Sequence, residues 1–174
     1  MAKKALVVID VQNIFFANEN YQPFRAEEIV ENINGLIKNA RENNVPIIFI
    51  RHEDPEDMQF ESSAWQIYEG LDVSETDFFV EKKTPDSFFE TDLQELLGKE
   101  QIEEVYLCGL QTDYCVDTTC RSAFGRKIKA FLVEDAHSTY DTEFVKAENI
   151  ISHHNKIIGK WFAELVPAKE VNFG

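Results

Sequence analysis

Six short, mostly apolar runs, each bounded by polar residues, decide the fold class of this chain: Ala5–Ile9, Val45–Ile50, Phe78–Lys82, Val105–Cys108, Ile128–Val133 and Phe162–Val166. Runs of that length with few polar interruptions read as strands buried on both faces. Between them, apolar residues recur at helical spacing. Ile29, Ile33, Leu36, Ile37 and Ala40 form one stripe, stopped by Asn43-Asn44. Leu93, Leu96 and Leu97 form a second. Val116, Cys120, Ala123 and Phe124 share a face of a helix expected over about 114–126, and a last helix is expected over about 142–153. Pro46 stands near the start of its strand, where a missing N–H is tolerated, and Phe162–Val166 is expected at a sheet edge. Strand–helix alternation of this kind calls for a parallel sheet covered on both sides. Right-handed crossovers then make the expected architecture a three-layer α/β/α sandwich with a central, mainly parallel, doubly wound sheet. At 174 residues, with no repeat, low-complexity tract or linker, the chain reads as one domain over 1–174.

In such sheets the functional groups stand beyond the carboxyl ends of the strands. Here those positions are Asp10, Arg51-His52, Lys82-Lys83, Gly109 to Cys115, and Glu134-Asp135. The run from Gly109 to Cys115 is a strand, a glycine turn and a helix opening on cysteine. Thr112 or Asp113 is placed to cap that helix. Cys115 then falls in its first turn, where free N–H groups and the positive end of the dipole favour a thiolate and can hold an oxyanion. Phe78, Val80 and Lys82 share one strand face, so Lys82 rather than Lys83 is expected to point at the thiol; the ordinary alternative is a snorkelling surface lysine. Asp10 either caps a turn or transfers protons. Together they suggest an Asp10–Lys82–Cys115 set.

The net charge of −15 excludes a nucleic-acid partner. Three cysteines, an odd number without a CxxC, argue against a disulfide scaffold and for a reducing, cytoplasmic setting. The first apolar run is too short to cross a membrane and ends on Asp10, so neither a membrane segment nor a signal segment is expected. No glycine-rich phosphate loop follows a strand, so no nucleotide cofactor is expected. Residues 52–75 form a long irregular loop of the kind that serves as a lid or wall. Phe15, Phe16, Tyr21, Phe24, Phe60, Trp65 and Tyr68 are loop aromatics that either wall a pocket or build a satellite core or subunit contact. Trp65 is the first choice for a wall.

Four segments then resemble the isochorismatase-like superfamily of cysteine hydrolases, in order and over nearly the whole chain. They are Val7 to Phe15, Glu81 to Leu93, Gly109 to Thr119, and Asp135-Ala136. The resemblance implies a triad of Asp10, Lys82 and Cys115, and a cis peptide between Leu110 and Gln111. It implies that the N–H groups of Gln111 and Cys115 form an oxyanion hole, each donor contributing roughly 3 kcal/mol. The implied reaction is cleavage of a small amide-type C–N bond through a thioester, with a small-molecule substrate and a homodimeric or homotetrameric assembly. Relatives that hold a metal carry an Asp-x-His pair where this chain reads Arg51-His52-Glu53-Asp54. No metal and no other cofactor are therefore expected, and a nicotinamidase is disfavoured. His52 is read as a pocket or hydrogen-bonding residue, His137 as orienting a loop, and His153-His154 as structural. Cys115 favours the cysteine-dependent branch over vinyl-ether hydrolysis. A redox-responsive thiol protein on the same fold and a purely structural interaction domain remain competing readings.

Overall fold

The computed structural model describes residues 2–174. Its elements in chain order are β1 (Lys4–Ile9), α1 (Ala26–Glu42), β2 (Ile47–His52), β3 (Phe78–Lys82), α2 (Leu93–Lys99), β4 (Glu104–Leu110), α3 (Asp117–Gly125), β5 (Lys129–Ser138), α4 (Ala147–Trp161) and β6 (Glu164–Val166). The strands form one sheet in the order β3-β2-β1-β4-β5-β6, with every neighbouring pair parallel. The chain winds outward from β1 through β2 to β3, then returns to β4 and winds the other way. The order therefore reverses between β1 and β4, and a crevice opens at their carboxyl ends.

Strand alternation divides the core in two. Leu6, Val8, Phe49 and Cys108 face the stripe of α1, which buries Ile29, Ile33, Leu36, Ile37 and Ala40. Val7, Ile9, Ile48, Ile50 and Leu107 face the other layer, where α2, α3 and α4 bury Leu97, Cys120 and Ile158 among others. The carboxyl-terminal segment closes the α1 side, with Phe173 set edge-on against Tyr106 at 5.0 Å between ring centres.

Two elements depart from the sequence reading. β5 does not stop at Val133 but runs to Ser138. Its register with β4 shifts, so that Leu107 pairs with Leu132 and Gly109 with His137. Glu134 and Asp135 thus lie inside a strand instead of on the rim. The Asp135 carboxylate accepts the Ala168 N–H at 2.7 Å and its carbonyl accepts the Asn32 side chain at 2.7 Å, which makes it a structural joint. α4 starts at Ala147, not near 142. The Asp141 carboxylate accepts the Ala147 N–H at 2.9 Å, and the Thr142 hydroxyl accepts the N–H groups of Phe144 and Val145. These local bonds compete with helix until Ala147.

Candidate active site

Gly109 allows the crevice to form. Its φ is +118°, and a Cβ there would collide with the backbone of Ile9 on β1. Only glycine lets β4 pass so close while turning into the nucleophile loop. The Leu110–Gln111 peptide is cis. Residues Thr112–Val116 then make one wide turn of π geometry, and α3 begins only at Asp117. Cys115 accordingly lies just ahead of α3, not inside its first turn.

Thr112 and Asp113 do not cap α3. The Thr112 hydroxyl pairs with His137 Nδ1 at 2.9 Å, while the Asp113 carboxylate accepts the Thr139 hydroxyl at 2.6 Å. His137 Nε2 meets Asn155 Oδ1 at 2.8 Å, and Asn155 Nδ2 donates to the Glu134 carbonyl. That network assigns the proton to Nε2, so Nδ1 accepts from Thr112. Burial pushes the His137 imidazole down to about 4, which matches a neutral ring wired between helix and turn.

Asp10 ends β1 with φ +50° and is buried, its N–H donating to Ile50 at 3.1 Å. Lys82 ends β3 and is buried too, on the same face as Val80. Its ammonium lies 2.6 Å from Asp10 Oδ2, 2.8 Å from His52 Nδ1 and 3.2 Å from Cys115 Sγ. All three ammonium hydrogens are thereby engaged. Lys83 points outward and pairs with Glu53 at 3.5 Å. A buried ion pair costs desolvation that its attraction barely offsets, so this one is a poor device for stability. The second Asp10 oxygen, Oδ1, is buried without a hydrogen-bond partner.

The ionisation of the thiol differs from the sequence expectation. Burial first, and the Asp10 carboxylate second, push the Cys115 thiol well above its ordinary value, and Lys82 only partly opposes them. Burial and the Asp10 carboxylate thus oppose the thiolate that the helix start and Lys82 favour, and the sequence reading weighed only the latter pair. His52 is pushed down, by burial first and by Lys82 second, and stays neutral as the acceptor of the ammonium.

Asp10, His52 and Cys115 offer donor atoms within 4.8 Å of one another, a grouping with metal-ligand spacing. The Lys82 ammonium stands among those atoms and donates to each of the three residues. While it does so, the resident cation of this trio is a lysine and the donor set does not fit a divalent ion.

Above the trio lies a cavity of about 220 Å³. Asp10, His52 and Cys115 form its floor, with Gln111 beside them. Phe15, expected as a wall, is one, and Met58, Pro85 and Tyr114 complete the apolar lining. The sequence reading had not singled out these last three, because nothing in periodicity says which loop side chains turn inward. Trp65 does not line the cavity. It is buried beneath the end of β2, with the Arg51 guanidinium 4.0 Å above its ring and Phe60 4.8 Å away. Gln12 locks this layer. Its side-chain amide donates to the carbonyls of His52 (2.9 Å) and Trp65 (2.7 Å), and its oxygen accepts the His52 N–H at 2.9 Å.

Comparison with known proteins places the fold and sequence in one family. The family model described as Isochorismatase domain matches residues 4–152. Nicotinamidase 3 of Arabidopsis thaliana is 32% identical over 160 residues, covering 82% of this chain and 77% of that protein. The secreted isochorismatase effector Isc1 of Verticillium dahliae is 30% identical over 170 residues, covering 96% and 89%. The crystal structure of an isochorismatase from Pseudomonas putida superposes with a TM-score of 0.91 at 28% identity, covering 98% of this chain and 92% of that one. Sheet order, crevice and sequence thus lead to one assignment: the chain belongs to the isochorismatase family of hydrolases.

Proposed function

We propose that this chain hydrolyses a small amide-type C–N bond with Cys115 as the nucleophile and Asp10 and Lys82 as its partners. The observation that carries this reading is the single buried ammonium in contact with both the Asp10 carboxylate and the Cys115 sulfur. The orphaned Asp10 Oδ1 is the atom we assign to take the thiol proton. Because the thiol is pushed up, proton removal and attack proceed together, as general-base catalysis requires. Sγ bonds to the carbonyl carbon, and the N–H groups of Gln111 and Cys115 hold the oxyanion. Asp10 returns its proton to the leaving nitrogen, the C–N bond breaks, and a thioester remains. Asp10 next draws a proton from water, the hydroxide adds, the C–S bond breaks, and the sulfur recovers its proton. The sum is amide plus water giving acid plus amine. Lys82 keeps Asp10 and Cys115 in register, His52 fixes Lys82, and Phe15 packs against the substrate, with Trp65 supporting the β2 end from behind.

Three free thiols, Cys108, Cys115 and Cys120, suit a reducing compartment. Among the described residues no helix is long and apolar enough to cross a membrane. Exposed Phe144 and Trp161 are the side chains we assign to contacts within a homodimer or homotetramer. The test is a panel of small amides followed by ammonia release, with Cys115→Ala as control. Wild-type protein releases ammonia from at least one member and the variant from none. Wild-type turnover that never exceeds the variant on any amide, ureide or ester refutes the proposal. Asp10→Ala and Lys82→Ala abolish turnover on this reading, whereas a redox-responsive thiol would keep its oxidation chemistry in both.

A further inference from the structure

We infer that the cavity above Cys115 selects amides whose acyl portion is neutral and apolar, and turns away counterparts that carry a carboxylate. The inference rests on the reading of Cys115 as the nucleophile and adds the class of group that enters with the scissile carbonyl. Its grounds are the charges that the cavity presents and those that it lacks. The walls are Phe15, Met58, Pro85 and Tyr114, none of which carries a carboxylate, ammonium or guanidinium. The one acid on the lining is Asp10, whose charge is matched by the Lys82 ammonium 2.6 Å away, so the floor offers an incoming anion no net positive charge. His52, the one titratable base on the lining, is held neutral by burial and by Lys82.

Among the described residues, the cations nearest the cavity are already engaged. The Lys82 ammonium is spent on Asp10, His52 and Cys115. Arg51 is paired with Glu81 and sandwiched between Trp65 and Phe79. Lys83 is exposed and paired with Glu53. A second basin shares Phe15, Gln111 and Tyr114 with the cavity; of its two acids, Asp113 accepts the Thr139 hydroxyl and Asp141 is paired with Lys146 at 2.6 Å, so the cation there is also engaged. The chain as a whole carries −15. A carboxylate entering the cavity would lose its hydration and find the one nearby ammonium already shared among Asp10, His52 and Cys115, with no guanidinium or free ammonium in return. An apolar acyl group loses only its contact with water. At about 220 Å³ the cavity has room for one small acyl group.

Two independent measurements test this. Hydrolysis is compared within matched pairs, butyramide against succinamate and benzamide against 4-carbamoylbenzoate. The neutral member should lead in kcat/KM by about tenfold or more, the scale of one carboxylate desolvated without a partner. Alkylation of Cys115 by iodoacetamide and by iodoacetate is compared with the same pair of reagents on N-acetylcysteinamide. The ratio favouring the neutral reagent should exceed that of the free thiol by a similar factor. Met58→Arg, which sets a cation on the wall, should pull both ratios back toward the carboxylate. A carboxylated amide that equals its neutral partner, a Cys115 ratio no larger than that of the free thiol, or ratios unmoved in Met58→Arg would each overturn the inference. If no member of any pair is hydrolysed, the hydrolase reading is decided by the wider panel of amides, ureides and esters, and the alkylation ratios alone decide what the cavity admits.

Discussion

Replacing Asp10 by Asn should make Cys115 more reactive toward an alkylating agent while destroying its usefulness as a hydrolytic nucleophile. The carboxylate oxygen and the sulfur are no more than 4.8 Å apart. With an effective dielectric constant near 20, a unit charge at that distance is worth about 3 kcal/mol, or about two pKa units on the thiol. Asn keeps the shape and removes the charge, so the thiolate fraction near neutral pH rises about a hundredfold. A less basic thiolate is a weaker nucleophile, and a Brønsted slope near 0.5 takes back about a factor of ten. The net expectation is a roughly tenfold faster reaction with iodoacetamide. Lys82→Met should act in the opposite sense, since it removes the ammonium that donates to Sγ at 3.2 Å. Modification at Cys115 is followed by mass spectrometry of the intact and digested protein from pH 6 to 9, with circular dichroism confirming that each variant is folded. Cys108 and Cys120 are fully buried and serve as internal controls. An Asp10→Asn protein whose Cys115 reacts no faster than wild type would refute the claim that this carboxylate governs the thiol, and with it the assignment of Asp10 as base.

Two further predictions concern the support of the site. His137 is buried and its imidazole is pushed down to about 4 from an ordinary 6.5, so the unfolded chain takes up that proton first. The contribution of His137 should therefore fall as pH drops from about 6.5 to about 4, by about 3 kcal/mol in all, below which the depressed Asp117 carboxylate takes over the decline. Urea titrations across that window check this, and a His137→Asn variant with the same pH slope as wild type would remove His137 as the cause. Gln12→Leu should cost about 3 kcal/mol, because it strands the His52 N–H and the carbonyls of His52 and Trp65 in a dry layer. A loss below about 1 kcal/mol in the same titration would mean that those groups find other partners.

Much of the fold was legible because burial on both faces leaves an unmistakable mark. β1 and β4 sit at the centre of the sheet and read as unbroken apolar runs, and the stripe of α1 repeats at helical spacing because only one of its faces is buried. Period-two alternation put Lys82 and Lys83 on opposite faces, and the spacing of Lys82 to Phe88 in the family-like segment marked Lys82 as the inner one, where it lies buried. Signals failed where side chains compete with the backbone or where register slips. The Asp141 and Thr142 bonds delay α4, and the shift opposite Gly109 carries β5 past Asp135, features with no periodicity of their own. Trp65 looked like a wall because it is a loop aromatic, yet its indole is the floor on which Arg51 lies.

The amino-acid order alone determined a doubly wound parallel sheet and brought one carboxylate, one lysine and one cysteine to its carboxyl edge, because strand hydrophobicity and the positions of strand ends are local properties. Only the tertiary structure decided the state of those groups. Ionisation depends on the dielectric and on charges from other strands: burial and Asp10 push the Cys115 thiol up, and Lys82 opposes them. The make-up of the cavity was likewise a tertiary matter, since Phe15, Met58, Pro85 and Tyr114 come from four separate stretches of chain that meet only after the sheet has formed.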